Sequence, residues 1–214
     1  MVSFIIVAIV AYLLGSISFS VIFTKKFKGF DVREKGSGNA GSTNVLRTAG
    51  VKVALLTLIC DVLKGVIAVV FAMVVGKIAK VNDSTAAWLC ALAGILVVIG
   101  HTFPVFFGFK GGKGVATSLG VLLILNWQIG LICLVFALVV MALSRMVSLG
   151  SISAAVLYPV LCIFLKNNYI IMGEKTHYVY IISSIILAVI VIFNHRSNIE
   201  RIVNGEENKL SFKK

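Results

Sequence analysis

GVATSLGVLLILNWQIGLICLVFALVVMALS, residues 114–144, runs for 31 residues without a charge. As one helix it would be about 46 Å long, against a bilayer hydrocarbon core of roughly 30 Å. Asn126-Trp127-Gln128 lies near its middle, and polar residues beside a Trp suit a turn at a membrane surface. The stretch therefore reads as two short helices, 114–125 and 128–144. Working outward, apolar blocks at 3–24, 52–76, 86–106, 147–165 and 177–194 supply five further spans. The expectation is an all-α integral membrane protein: a seven-transmembrane-helix bundle forming a single domain over residues 1–214.

Charge supports that count. With seven spans, the segments 25–52, 107–113, 144–146 and 195–214 lie on one side and hold 15 basic residues, while the other side holds Lys77, Lys80, Lys166 and Lys175. Cytoplasmic loops carry the basic excess, so the N-terminus is expected outside and the C-terminus in the cytoplasm, with the turn at 126–128 on the outer face. Reading 114–144 as a single span would move Arg145 and the C-terminal tail outside and shrink the bias. Residues 2–24 carry no charge, and MVSFIIVAIV has no basic n-region, so the first block reads as a retained span, not a signal peptide.

Hydrophobic residues make up 59% of the chain and charged residues 13%, where a soluble domain has about 25% charged. A soluble class is excluded. The net charge of +12 fits positive-inside loops and anionic lipid headgroups better than nucleic acid. Cys60, Cys90, Cys133 and Cys162 each sit inside an apolar block and form no C-x-x-C pair, so they read as small buried hydrophobes and not as metal ligands. No metal and no cofactor is expected.

Two polar, glycine-rich segments interrupt the apolar blocks. The first, residues 25–50, centres on Gly36-Ser37-Gly38-Asn39-Ala40-Gly41-Ser42-Thr43-Asn44, with Arg47 three residues on. Glycines let backbone N–H groups converge on an anion, hydroxyls and amides add donors, and Arg supplies a planar charged fork. Gly36-x-Gly38-x-x-Gly41 matches a dinucleotide fingerprint in letters alone. That fingerprint needs a buried strand before it, and Arg33-Glu34-Lys35 stands there instead. The second segment, Lys110-Gly111-Gly112-Lys113-Gly114, is not a Walker A loop, because Gly114 follows Lys113 where Ser or Thr is required. It offers N–H groups between two lysines at the start of a helix, which attracts phosphate. Both segments fall on the same face and are expected to share a site.

Asp61 and Lys64 lie deep in the second span. Ionisable groups at that depth seldom face lipid, and at i,i+3 they can pair; they read as a structural pair that orients helices. His101, three residues before Pro104, is placed to hydrogen-bond at a helix end. After the last span, His195 and Asn198 at i,i+3 share a face of a continuing helix. A His near its ordinary pKa is a candidate general base or phosphate donor.

These residues resemble the bacterial membrane glycerol-3-phosphate acyltransferases that use acyl phosphate as donor, the PlsY family. The resemblance runs end to end. It is carried by Gly15-Ser16-Ile17, the Gly36–Asn44 run with Arg47 and Gly50, Asp61-x-x-Lys64-Gly65, and Gly100-His101-Thr102-Phe103-Pro104. It continues through Phe109-Lys110-Gly111-Gly112-Lys113-Gly114-Val115-Ala116-Thr117, His195-Arg196-x-Asn198-Ile199-x-Arg201 and Gly205-x-Glu207. Ser18 stands where the family usually has proline, Ser42 where alanine is common and Ile202 where leucine is common. The resemblance implies a multi-pass enzyme of the bacterial plasma membrane. It would move a fatty acyl group from acyl phosphate to the 1-hydroxyl of sn-glycerol 3-phosphate, giving lysophosphatidic acid and phosphate. It further implies that the first glycine loop, with Ser37 and Arg47, handles phosphate, that Gly111-Gly112-Lys113-Gly114 binds glycerol 3-phosphate, that His195 and Asn198 are catalytic, and that Glu207 holds the C-terminal segment. The expected partners are those two substrates and membrane lipid; the oligomeric state is left open, a monomer included.

The chemistry agrees with the residues. Acyl phosphate is an activated anhydride, so neither a Ser or Cys nucleophile nor ATP is needed. The protein has to neutralise two phosphoryl groups and align a hydroxyl with a carbonyl. The alternative is a transporter of an organic phosphate or another anion. Transport would call for related halves and access from both faces, whereas the glycine motifs here cluster on one face.

Overall fold

The computed structural model describes residues 1–165, 169–171 and 176–209; Lys166, Lys175, Lys213 and Lys214 of the charge argument lie outside them. The apolar blocks become helices because a segment in hydrocarbon must satisfy its own backbone polar groups. In chain order these are α1 (Val2–Gly15), α2 (Phe19–Lys28), α3 (Ser42–Ala49), α4 (Val51–Ile78), α5 (Asp83–Thr102), α6 (Val115–Leu125), α7 (Trp127–Ser144), α8 (Val147–Phe164), α9 (His177–Asn194) and α10 (Arg196–Val203), with short 3-10 turns at Val32–Glu34 and Val105–Phe107. Among the described residues there is no strand. Six stretches are long and apolar enough to cross a membrane, and α6 is a shorter apolar helix. The seventh segment of the bundle is therefore too short to span alone, and it packs against α4, α5 and α7.

The 31-residue run is two helices, as its length requires. Asn126 makes the corner: its side-chain oxygen accepts the Ile129 N–H at 3.1 Å and caps α7. Trp127 beside it is exposed.

The first span, expected over 3–24, is built of two helices. It breaks between α1 and α2 at Ser16–Ser18, which frees carbonyls inside the membrane. Lys64 of α4 supplies the missing donors, with Nζ 3.1 Å from the Gly15 oxygen and 3.0 Å from the Ile17 oxygen. The break needs no proline at position 18, because a buried ammonium holds it.

Glycine sets two close crossings. A Cβ on Gly15 would lie 2.2 Å from the Val97 oxygen, and one on Gly100 would lie 2.3 Å from the Tyr12 oxygen, so α1 and α5 meet backbone to backbone. Gly65 and Gly120 do the same for α4 and α6, at 2.3 Å from the Thr117 oxygen and 2.0 Å from the Val62 oxygen. Around α4 the outward stripe is Leu55, Ile59, Leu63 and Ile67, all exposed as lipid-facing residues are, while Thr57, Asp61, Lys64, Gly65 and Ala68 face inward.

The first glycine segment folds over the end of the bundle. Val21, Val32, Ala40, Val45 and Val53 form a small apolar cluster that fastens it to α2 and α4.

Candidate active site

Asn44 organises the first glycine segment. It is buried, its Oδ1 accepts the Ser37 N–H at 3.0 Å, and its Nδ2 donates to the carbonyls of Val32, Lys35 and Asn39 at 2.9–3.1 Å. A side chain expected to bind ligand thus spends its amide on the loop itself. Gly36, at φ +61, packs against it; a Cβ there would meet Asn44 Oδ1 at 2.2 Å. The Ser37 N–H is engaged by Asn44, and the Gly38 N–H bonds the Lys35 oxygen at 3.1 Å. What remains directed at the cavity is the N-terminus of α3, with Gly41, Ser42 and Thr43, and the side chains of Ser37, Asn39 and Arg47. Arg47 is exposed and makes no hydrogen bond or ion pair among the described residues.

Arg33 ties the two glycine segments together, which the sequence reading missed. Its guanidinium clasps Asp31 at 3.0 and 2.8 Å and reaches the Phe107 carbonyl at 2.6 Å and the Lys110 carbonyl at 3.4 Å. The hydrogen bond from Arg33 outweighs burial and holds the Asp31 carboxyl well below the usual carboxylate range. The visible signal was Asp31 two residues before Arg33, the spacing of an aspartate that caps a turn.

The second segment differs from expectation in one respect. The Gly111 and Gly112 N–H groups donate to the Thr102 and His101 carbonyls at 3.1 Å each, so they are not free for an anion. These glycines are there for room: a Cβ on Gly111 would lie 2.0 Å from the His101 oxygen. Lys110 is exposed and does not line the cavity. Lys113, Gly114 and the first turn of α6 do, and the first N–H groups of a helix have no partner within it.

Lys113 Nζ donates to Asn198 Oδ1 of α10. Asn198 Nδ2 donates to Glu207 Oε1 at 2.8 Å, Ser148 of α8 donates to the same oxygen at 2.8 Å, and Arg201 Nε donates to Oε2 at 2.9 Å. Burial pushes the Glu207 carboxyl up, but these three donors outweigh it and hold it below its ordinary value. Burial, followed by the charge of Arg201, brings Lys113 down to about 8; Glu207 opposes this and Arg47 adds to it. His195 closes α9. Its Nδ1 lies 2.7 Å from the Val191 carbonyl and donates to it, leaving Nε2 with a lone pair. Burial brings this imidazole down to about 4, so it is neutral at physiological pH.

These groups surround the mouth of a cavity of about 1030 Å³. Below the mouth its walls are apolar, from Leu58 of α4, Leu119 and Leu122 of α6, Leu134 of α7, Ala154 of α8 and Leu187 of α9. Leu55 of α4 and Leu138 of α7 line it too, yet each is 54% exposed, so the slot opens sideways where lipid would lie. The sequence reading did not foresee this slot, because its residues are indistinguishable from ordinary membrane helix. Asp61 and His101 also border the cavity. Asp61 pairs with Lys64 at 2.9 Å, with His101 beside them. No group of His, Cys, Asp and Glu among the described residues is arranged to hold a metal.

Comparison with known proteins gives one answer. Residues 5–205 match the family model described as glycerol-3-phosphate acyltransferase. The chain is 45% identical over 212 residues to the glycerol-3-phosphate acyltransferase of Clostridioides difficile (strain 630), covering 99% of this chain and 98% of that protein. It is 44% identical over 204 residues to that of Halalkalibacterium halodurans, covering 95% and 94%. Two crystal structures of PlsY (YgiH), an integral membrane glycerol 3-phosphate acyltransferase, share its fold over 98% of this chain and 96% of theirs. The glycerol 3-phosphate form is 36% identical with a TM-score of 0.83, and the lysophosphatidic acid form 35% identical with a TM-score of 0.82.

Proposed function

The chain belongs to the glycerol-3-phosphate acyltransferase family, and from that premise we propose that its donor is acyl phosphate. The acyl group passes to the 1-hydroxyl of sn-glycerol 3-phosphate, and the products are lysophosphatidic acid and inorganic phosphate. The observation that carries this reading is a single cavity that joins two helix N-termini and the cations Arg47 and Lys113 to an apolar slot open to lipid. Two phosphoryl groups can sit at two positive poles, while an acyl chain lies in the slot. A lipid-open slot suits a fatty acyl chain better than a transported anion. That the related PlsY has been crystallised in glycerol 3-phosphate and lysophosphatidic acid forms supports the acceptor and the product.

The acceptor oxygen attacks the acyl carbonyl carbon, and its proton passes to His195 Nε2. The bond from the carbonyl carbon to the bridging phosphate oxygen then breaks, and phosphate leaves with the electron pair. Arg47, Lys113 and the helix N-termini stabilise charge on both phosphoryl groups. Asn198 holds Lys113 in place and is itself held by Glu207. The mouth faces the cytoplasm in this reading, on the side of the basic loops, with the N-terminus outside. The test is purified protein with palmitoyl phosphate and glycerol 3-phosphate, without added metal or nucleotide. Lysophosphatidate and phosphate should appear one to one, and palmitoyl-CoA should not replace the donor. Robust turnover of palmitoyl-CoA would overturn the donor assignment.

A further inference from the structure

His101 is 6% exposed and borders the cavity at the seam between the two glycine segments. A Cβ on Gly112 would lie 2.2 Å from His101 Nε2 and 2.9 Å from the Ala40 carbonyl oxygen. The edge of the imidazole therefore occupies the space that a side chain at position 112 would take. The other ring nitrogen, Nδ1, lies 2.9 Å from Lys64 Nζ. That ammonium also serves the Gly15 and Ile17 carbonyls and pairs with Asp61 Oδ1 at 2.9 Å. An ammonium has donors and no acceptor. Its three N–H groups go to the Gly15 and Ile17 carbonyls and to Nδ1, while Asp61, 3.5 Å from the same ring nitrogen, balances the charge; Nδ1 therefore accepts, and the ring proton sits on Nε2. Nε2 makes no hydrogen bond with any described residue, and it is not among the buried atoms sealed off without a partner. The result is an imidazole N–H whose tautomer is fixed from within the bundle, at the wall of a cavity flanked by Lys113 and the first turns of α3 and α6.

We propose that His101 Nε2–H contacts substrate, donating to a phosphoryl oxygen bound at the seam of the two glycine segments, and that Lys64, whose charge Asp61 balances, is the positioning residue that sets its tautomer. This rests on the reading of the cavity as a site for phosphorylated substrates. A neutral donor suits the place. Burial, and after it Arg201 and Arg47, already weaken the charge on Lys113 against the pull of Glu207, and a further cation would weaken it more, whereas an N–H adds a hydrogen bond and no charge. It also gives Lys64, with Asp61 balancing it, a part in the reaction beyond orienting helices, exerted through the ring it holds.

His101→Asn and His101→Gln separate the two ring nitrogens. The Asn amide oxygen stands in for Nδ1 and keeps the Lys64 contact but has no group at Nε2; the Gln amide N–H reaches the Nε2 position. Full-length protein in detergent is compared for Tm without ligand, for the rise in Tm on adding inorganic phosphate or glycerol 3-phosphate, and for kcat/KM. His101→Asn should keep the ligand-free Tm, lose the ligand-induced rise and lose at least tenfold in kcat/KM, and His101→Gln should recover part of both. An Asn variant that binds and turns over like the parent would overturn the proposal. Should both variants lose Tm, nitrogen NMR of the unaltered protein with labelled histidine decides, with His177→Gln and His195→Gln used for assignment. The His101 Nε2 signal should move on addition of phosphate or glycerol 3-phosphate. No movement with either ligand, at concentrations that saturate turnover, overturns the proposal while leaving the acyltransferase reading intact. Movement without any acyl transfer leaves the donor role standing and removes that reading.

Discussion

His195 and Lys113 titrate on opposite sides of neutrality, and the sign of each effect is fixed. His195 has to be neutral to accept a proton, so kcat/KM should rise as pH increases through about 4. Lys113 has to be charged, so kcat/KM should fall as pH increases through about 8. Lys113→Arg keeps its charge across that range and should move the alkaline limb upward without moving the acid limb; a limb that stays put assigns it to another group. Lys113→Ala should mainly raise the KM for glycerol 3-phosphate. Arg47→Ala removes a bidentate phosphate partner, and the loss of a charged hydrogen bond of about 1.5–3 kcal/mol corresponds to a drop of roughly tenfold or more in kcat/KM. His195→Ala should lower kcat by about 10²–10⁴-fold with smaller changes in either KM. Lys77→Ala, at the far end of α4, is the control and should change little; equal behaviour of Arg47→Ala and Lys77→Ala would remove the phosphate reading of the loop. The chemistry-bearing residues were legible because they stand out against apolar sequence. The inward turn of Asn44, and the use of the Gly111 and Gly112 N–H groups by α5 carbonyls, were not. Which donor meets which acceptor depends on how the loops land.

At the level of elements, the crossings tolerate no added volume. Gly120→Leu would drive a side chain into the Val62 carbonyl, and overpacking commonly costs about 1–3 kcal/mol. Tm in detergent should fall clearly, while the lipid-facing Leu63→Ala should leave it nearly unchanged; equal effects would mean that α4 and α6 can slide apart. Glu207→Ala disconnects α8 from α10 and releases Asn198, so kcat should fall with little change in the Tm of the bundle. Span positions were legible because length, charge and the Asn126–Gln128 corner leave few alternatives. The break at Ser16–Ser18 was hidden inside a continuous apolar run, since the residue that makes it possible lies 49 positions from Gly15.

For the molecule as a whole, the topology is testable directly. In a cysteine-less background, single cysteines at 126, 127 or 128 should label from outside the cell, and labelling only from the cytoplasm would sink the hairpin of α6 and α7. The sequence carried the two-sided charge pattern of the chain but not the lateral opening, which arises only where Leu55 and Leu138 border the same space. The Lys64 seal bears on how such a protein is made. Gly15 leaves the ribosome 49 residues ahead of Lys64, roughly 2–10 s at about 5–20 residues/s. Through that interval the carbonyls of Gly15 and Ile17 have no ammonium to meet them, and hydrocarbon offers no other donor. The first segment must therefore wait in a wet environment, or as an unbroken helix, until the second arrives. The broken form of the first span can therefore be completed only once the second span lies beside it.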